Sequence, residues 1–368
     1  MPYPGFDRDN VKMLPLSERE NKQNIEEKKV LPDSSWSLDE KGEKLVDLTA
    51  QRIVKSRKEN APVMLTFGAH SIKNCLAPVF IELMKDGWIT HLATNGAGVI
   101  HDWEFSYQGE TSEDVQKYAS QGQFGNWQET GFNINLAIIA GAYYGMGYGE
   151  SVGAFIANEG VEIPCSQQLE NEIKTFAGAD PYKAAAAADF LHAVKKFSLL
   201  EGKYEVKHPF KKYGVQSNAY EMGIPFTSHP MIGHDIIYNH PMNSCSAIGR
   251  AAQRDFLTFA ESVGRLDNGV YMSVGSAVMS PMVFEKSMSI TRNVAIQNNS
   301  QIENHFILVV DLQKSHWDWT KGEPPETNPD YYLRYNKSFS RMGGEMAYLS
   351  ADNRDFLLAL CQKLKKSS

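Results

Sequence analysis

Between residues 62 and 350, short apolar runs alternate with longer stretches whose apolar residues recur every three or four positions. The runs are Val63–Thr66, Ile89–Ala93, Ile224–Thr227, Val270–Ser273, Phe306–Val310 and Met346–Leu349. Continuous apolar runs of this length predict strands buried on both faces. The stretches Tyr182–Leu199, Ala247–Leu266 and Ser280–Arg292 have helical spacing. So does the face formed by Ile72, Leu76, Val79, Phe80, Leu83 and Met84, where Pro78 should kink the helix or shift its start. Strands separated by helices predict an α/β fold, doubly wound around a mostly parallel sheet.

The first 35 residues are polar, mixed in charge and interrupted by four prolines, which predicts an arm. Ser37-Leu38-Asp39-Glu40 has the form of a capping box and predicts a helix start. Residues 1–60 are therefore read as an N-terminal arm and helix, and 61–368 as a single α/β domain. The uncharged stretch Asn133–Gly149 is just short of a membrane span and predicts a buried, glycine-rich helix. Lys314–Tyr332, with four prolines or glycines and two tryptophans, predicts a long loop.

Composition narrows the function classes. Apolar residues make up 42% and charged residues 22%, enough for a sizeable core. The formal charge of −7 argues against a nucleic-acid or membrane-surface protein, which needs clustered cations. Four scattered cysteines make neither a disulfide scaffold nor a zinc site. The N-terminus lacks the pattern of a signal peptide, so a cytoplasmic location is expected.

Candidate chemistry gathers at the predicted carboxyl ends of strands, where open α/β sheets bind ligands. Two turns of small residues lie there, Gly68-Ala69-His70-Ser71 and Thr94-Asn95-Gly96-Ala97-Gly98. They suit close backbone approach to a phosphate, and equally well suit plain tight turns. His101, Asp102 and Glu104 follow directly; ionisable groups so close together suit proton transfer, or else a helix cap and an exposed histidine. His229, His234, Asp235 and His240 form a second cluster. It fits a polar substrate or proton transfer, or as an alternative a divalent metal in a lyase or hydrolase. The loop Gly275-Ser276-Ala277, after the strand at Val270, is a further place for a cofactor contact.

The order of these motifs resembles the deoxyhypusine synthase family, and within it a bacterial deoxyhypusine-synthase-like branch. The likeness runs from about Pro62 to the C-terminus. The family's Thr-Thr-Ala-Gly-Gly-Val turn matches Thr94 to Val99, its small-residue turn matches Phe67 to Ser71, and its Gly-Asp with a following histidine matches His234-Asp235 and His240. Its glycine-run strand matches Asp267-Asn268-Gly269-Val270, and its Arg-Pro-Asp-Glu loop resembles Pro324-Pro325-Glu326. The resemblance implies a Rossmann-like sheet, a homotetramer, and NAD as an internally regenerated hydride carrier in a transferase acting on an amine. NAD contacts are then implied at Gly68, Ala69, His70, Ser71, Thr94, Asn95, Gly96, Ala97, Gly98, Asp267 and Gly269. Catalytic roles fall to His101, His234, Asp235 and, as nucleophile, Lys337; substrate contacts fall to Asp102, Glu104, His240 and Glu326. The chain departs from the family where paired glutamates are replaced by Ile100-His101 and where the Trp-Gly-Lys motif has no clean counterpart. The substrate is therefore open, as is modification of a partner protein, and a non-catalytic NAD-binding protein is a further alternative.

Overall fold

The computed structural model describes residues 3–367. Six strands form the central sheet: β1 (Val63–Phe67), β2 (His91–Thr94), β3 (Phe226–Ser228), β4 (Val270–Val274), β5 (Phe306–Asp311) and β6 (Glu345–Ser350). All six predicted strands form, each within one or two residues of its expected bounds. The order is β6-β5-β4-β1-β2-β3 and every pairing is parallel. The chain grows outward from β1 to β3, then restarts on the other side of β1 with β4. The sheet is thus Rossmann-like, and its strand order reverses between β1 and β4.

Alternate side chains of each strand face opposite layers. Leu65, Phe67, Met272, Val274, Leu308 and Val310 join one core. Met64, Tyr271, Ile307 and Val309 join the other. The first core is covered by α1 (Glu40–Lys58), α2 (Ala69–Lys73), α3 (Ala77–Lys85), α4 (Gly96–Gln108) and the C-terminal helix Asn353–Lys365. The second is covered mainly by Cys245–Gly264, Met279–Gln297 and Arg334–Ser340. Each fully buried aromatic, such as Phe67 or Phe284, contributes about 1.5–3 kcal/mol by leaving water.

Local details differ from expectation for local reasons. Helix α1 is capped by Asp39 rather than Ser37, because the Asp39 carboxylate takes the Gly42 N–H at 2.7 Å. The face from Ile72 to Met84 is split into α2 and α3, with Pro78 in the first turn of α3, where its missing N–H costs nothing. The stretch from Asn133 to Gly149 is not one helix. Gly145, at φ 90°, ends the helix Gln128–Tyr144, and a second begins at Tyr148. Among the described residues no helix is long and apolar enough to cross a membrane.

The arm packs on its own chain. Leu16 and Ile25 are buried in the first core. The polar segment Asn21–Asn24 pairs antiparallel with Glu110–Glu113, just beyond α4. That pairing brings the arm beside the carboxyl edge of the sheet.

Candidate functional site

The reversal of strand order is where two small-residue turns meet. Gly68 N donates to Val274 O at 3.1 Å. A Cβ on Gly68 would lie 2.1 Å from Gly275 O, so only glycine lets β1 and β4 end this close together. Thr94, at the end of β2, donates its hydroxyl to Phe67 O at 2.9 Å, and Gly98 leaves room for that side chain. Asn95 caps α4 through the Gly98 N–H at 2.9 Å. Buried polar atoms without partners collect along this edge: Ser71 Oγ, Ser228 Oγ and Asn353 Oδ1. Asn353 packs directly on Gly275.

Beside this edge lies a cavity of about 220 Å³, lined by Arg19, Lys73, His101, Glu104, Glu113, His234 and Asp235 together with Ile100, Val115 and Phe124. It unites residues that are far apart in sequence. Asp235 enters over the first turn of α4, where Gly96 lacks the Cβ that would strike its carboxylate. Its Oδ2 is buried without a partner. Burial pushes this carboxyl up to about 6, and nearby His234 offsets that in part. His101 projects from α4, and burial pushes its imidazole down to about 4, so it is neutral at pH 7. Glu104 is fully engaged: Arg19 forks onto both its oxygens at 2.8 and 2.7 Å, and the Thr111 and Thr130 hydroxyls complete its shell.

Other expected site residues lie elsewhere. Asp102 points away from the cavity and accepts the backbone N–H groups of Val215 and Gln216 at 2.8 and 3.0 Å. It is the cap of a helix start, the bland alternative for this position. His240 is buried against Phe132, bonded to Gln128 and to the Met242 N–H. His229 packs on Phe259 and reaches Thr227. His234 is exposed on the cavity rim. The second cluster is therefore dispersed. Among the described residues no group of three or more His, Cys, Asp or Glu side chains is placed to hold a metal ion.

Asp267 and Gly269 precede β4 and so lie at the amino edge of the sheet, away from the turns at Gly68 and Gly96; Asp267 accepts the Glu303 and Asn304 N–H groups. The carboxyl end of that strand carries Gly275 and Ser276 instead. Lys337 lies over the Tyr331 ring and 3.4 Å from Glu323, and Glu326 is an exposed acceptor for Tyr331; neither lines the cavity. His70 is exposed at the start of α2, beside half-exposed Ala69. Arg19 was the residue missed by sequence reasoning. One charge in a polar, proline-broken arm carries no local sign of burial.

No family model matches the chain, and no curated protein does either. Solved structures overlap with it loosely. The arginine dihydrolase ArgZ of the cyanobacterial ornithine–ammonia cycle shares 15% identity over 89% of this chain, at a TM-score of 0.41. AgrE in its ternary complex with ornithine and NAD+ shares 14% over 91%, at 0.44. A conserved LOR/SDH protein from Methanococcus maripaludis S2 shares 11% over 92%, at 0.43. This chain spans about a third of the first two, 33% and 34%, and 74% of the last. None of the three is described as a deoxyhypusine synthase, and likeness this loose carries nothing about activity.

Proposed function

We propose that this chain is an NAD-dependent enzyme that acts on an amine-bearing substrate in the cavity around Asp235. One observation carries the reading: an unpartnered carboxylate and a neutral histidine share a cavity beside the carboxyl edge of a sheet whose strand order reverses between β1 and β4. The residues fit a dinucleotide at that edge. Ser71 Oγ and Asn353 Oδ1 are buried there without a partner, while the space beside Gly68, Gly96 and Gly275 is taken by the chain's own Gly275, Asp235 and Asn353. Bound NAD would supply a hydride acceptor that returns the hydride within the cycle.

The chain's own groups do the rest. Asp235 receives a substrate ammonium, which restores the charge balance its burial disturbs. His101 accepts a proton from the substrate, because its imidazole is neutral and its ring lines the cavity. Buried Ile100 makes an apolar patch of the wall, and exposed Val115 and Phe124 extend it to the solvent side. The motif resemblance to deoxyhypusine synthases supports both the cofactor and an amine. It does not carry the imine step: where the family pairs glutamates this chain has Ile100-His101, and the Lys337 ammonium is engaged by Glu323 and Tyr331. A homotetramer belongs to the same resemblance and is read directly by light scattering.

The test is the thermal midpoint with NAD, NADH, amines and divalent metals, on metal-stripped protein. Ligand at 100 times Kd stabilises by about 2.7 kcal/mol. NAD is expected to raise the midpoint, and an amine to raise it further in the wild type but not in Asp235→Asn. A chain that ignores NAD overturns the proposal; one that responds to metal alone points to the lyase or hydrolase alternative.

A further inference from the structure

His101 is tied to the N-terminal arm through two intermediates. Its Nδ1 lies 2.8 Å from Thr111 Oγ1. The Thr111 hydroxyl donates to Glu104 Oε2 at 2.5 Å. Glu104 accepts from Arg19 on both oxygens and from the Thr130 hydroxyl at 2.8 Å. Burial opposes ionisation of Glu104, but the Arg19 guanidinium outweighs it and leaves the carboxyl below its ordinary range. Arg19 is itself locked. Its Nε donates to Asn21, and the strand that follows pairs Gln23 with Thr111.

The direction of each hydrogen bond follows from proton counting. An ionised carboxylate only accepts, and a threonine hydroxyl has one proton. Thr111 gives that proton to Glu104, so at its contact with His101 it can only accept. The imidazole must then donate, and Nδ1 carries the hydrogen. A neutral imidazole has a single N–H. Nε2 therefore keeps its lone pair, and among the described residues no hydrogen bond engages it.

We propose that Arg19, Glu104 and Thr111 are positioning residues that hold His101 as the Nδ1–H tautomer and so leave Nε2 as a proton acceptor facing the cavity. No proton travels along the chain; its role is to fix the tautomer and the ring orientation, as hydrogen-bonded carboxylates do for other imidazoles. The arm is thereby part of the site. This inference rests on the reading that His101 is the proton-transfer group.

The test uses the full-length protein labelled with 15N-histidine and magic-angle-spinning spectra, with the His101 signals assigned by their loss in His101→Gln. The wild type is expected to show a pyrrole-type Nδ1 and a pyridine-type Nε2 at His101. Thr111→Val frees the ring and should give a mixed or reversed tautomer, and Thr111→Ser should restore the original. On an amine that the wild type turns over, Thr111→Val should lower kcat by about a hundredfold with KM little changed, and Thr111→Ser should recover it. A wild-type ring protonated at Nε2, or one unchanged in Thr111→Val, overturns the inference. The expected tautomer with full turnover in His101→Gln would sink the proton-acceptor reading alone, and leave the tautomer assignment standing.

Discussion

At Gly96 an ideal Cβ would sit 2.1 Å from Asp235 Oδ2, and at Gly68 the same distance from Gly275 O. The two clashes differ in kind. A carboxylate on a loop moves, so Gly96→Ala is expected to leave the chain folded while displacing Asp235 and abolishing the amine-dependent thermal shift. Backbone at the junction of β1 and β4 cannot move cheaply, so Gly68→Ala should cost about 2 kcal/mol or more in urea unfolding. Asp235 also leaves a mark on stability. Its folded carboxyl is raised from 3.8 to about 6, so it holds its proton more tightly folded than unfolded. Its contribution is present at low pH and lost as pH rises through about 6, which amounts to at most about 3 kcal/mol. Asp235→Asn is therefore expected to gain stability at pH 8 and little at pH 4. A variant equally affected at both would show that the carboxyl is not held away from water.

The arm is the element whose role was hidden. Asn21–Asn24 is wholly polar, so neither apolar alternation nor an apolar run marks it as a strand. Its order comes from its partner strand and from Arg19, which is 6% exposed. Removing one member of a buried ion pair leaves the other uncompensated, so Arg19→Met is expected to cost about 3–5 kcal/mol. The double variant Arg19→Met, Glu104→Met should recover most of it, a comparison made by urea unfolding of all four proteins. Helix ends follow gentler rules. Gly145 takes a left-handed conformation with open space where a side chain would go, so Gly145→Ala should cost only about 1 kcal/mol. These boundaries were partly legible: Pro78 marked a break, whereas the choice of Asp39 over Ser37 depended on which side chain meets a free N–H.

Across the molecule, burial sets an unusual balance of protons. Burial pushes His91 and His229 down to about 3, and His101, His208, His240 and His305 to about 4. Depressed imidazoles stabilise the fold above the unfolded value near 6.5 and lose that contribution as pH falls. Burial pushes Asp102 and Asp235 up to about 6 and Asp255 to about 8, with the opposite pH dependence. Near pH 5 six histidines against three carboxyls leave the unfolded chain binding about three more protons. Stability should then rise by roughly 4 kcal/mol per pH unit there, and fall again as Asp255 ionises; urea midpoints at pH 5, 6.5 and 9 check this, and a flat profile would refute it. The sequence by itself determined the six strands, their parallel sense and the two-sided core, because double burial demands apolar residues at neighbouring positions. It also placed His101 and Asp235 among the candidates, because each is an ionisable residue near a strand's carboxyl end. Only the tertiary structure decided the rest. It joined His101 to Asp235 and to Arg19, bonded through Glu104 across 85 residues, dispersed His229 and His240 into the core, and put Asp267 at the opposite edge of the sheet. Contacts between residues distant in sequence are set by how layers pack, and no local pattern records them.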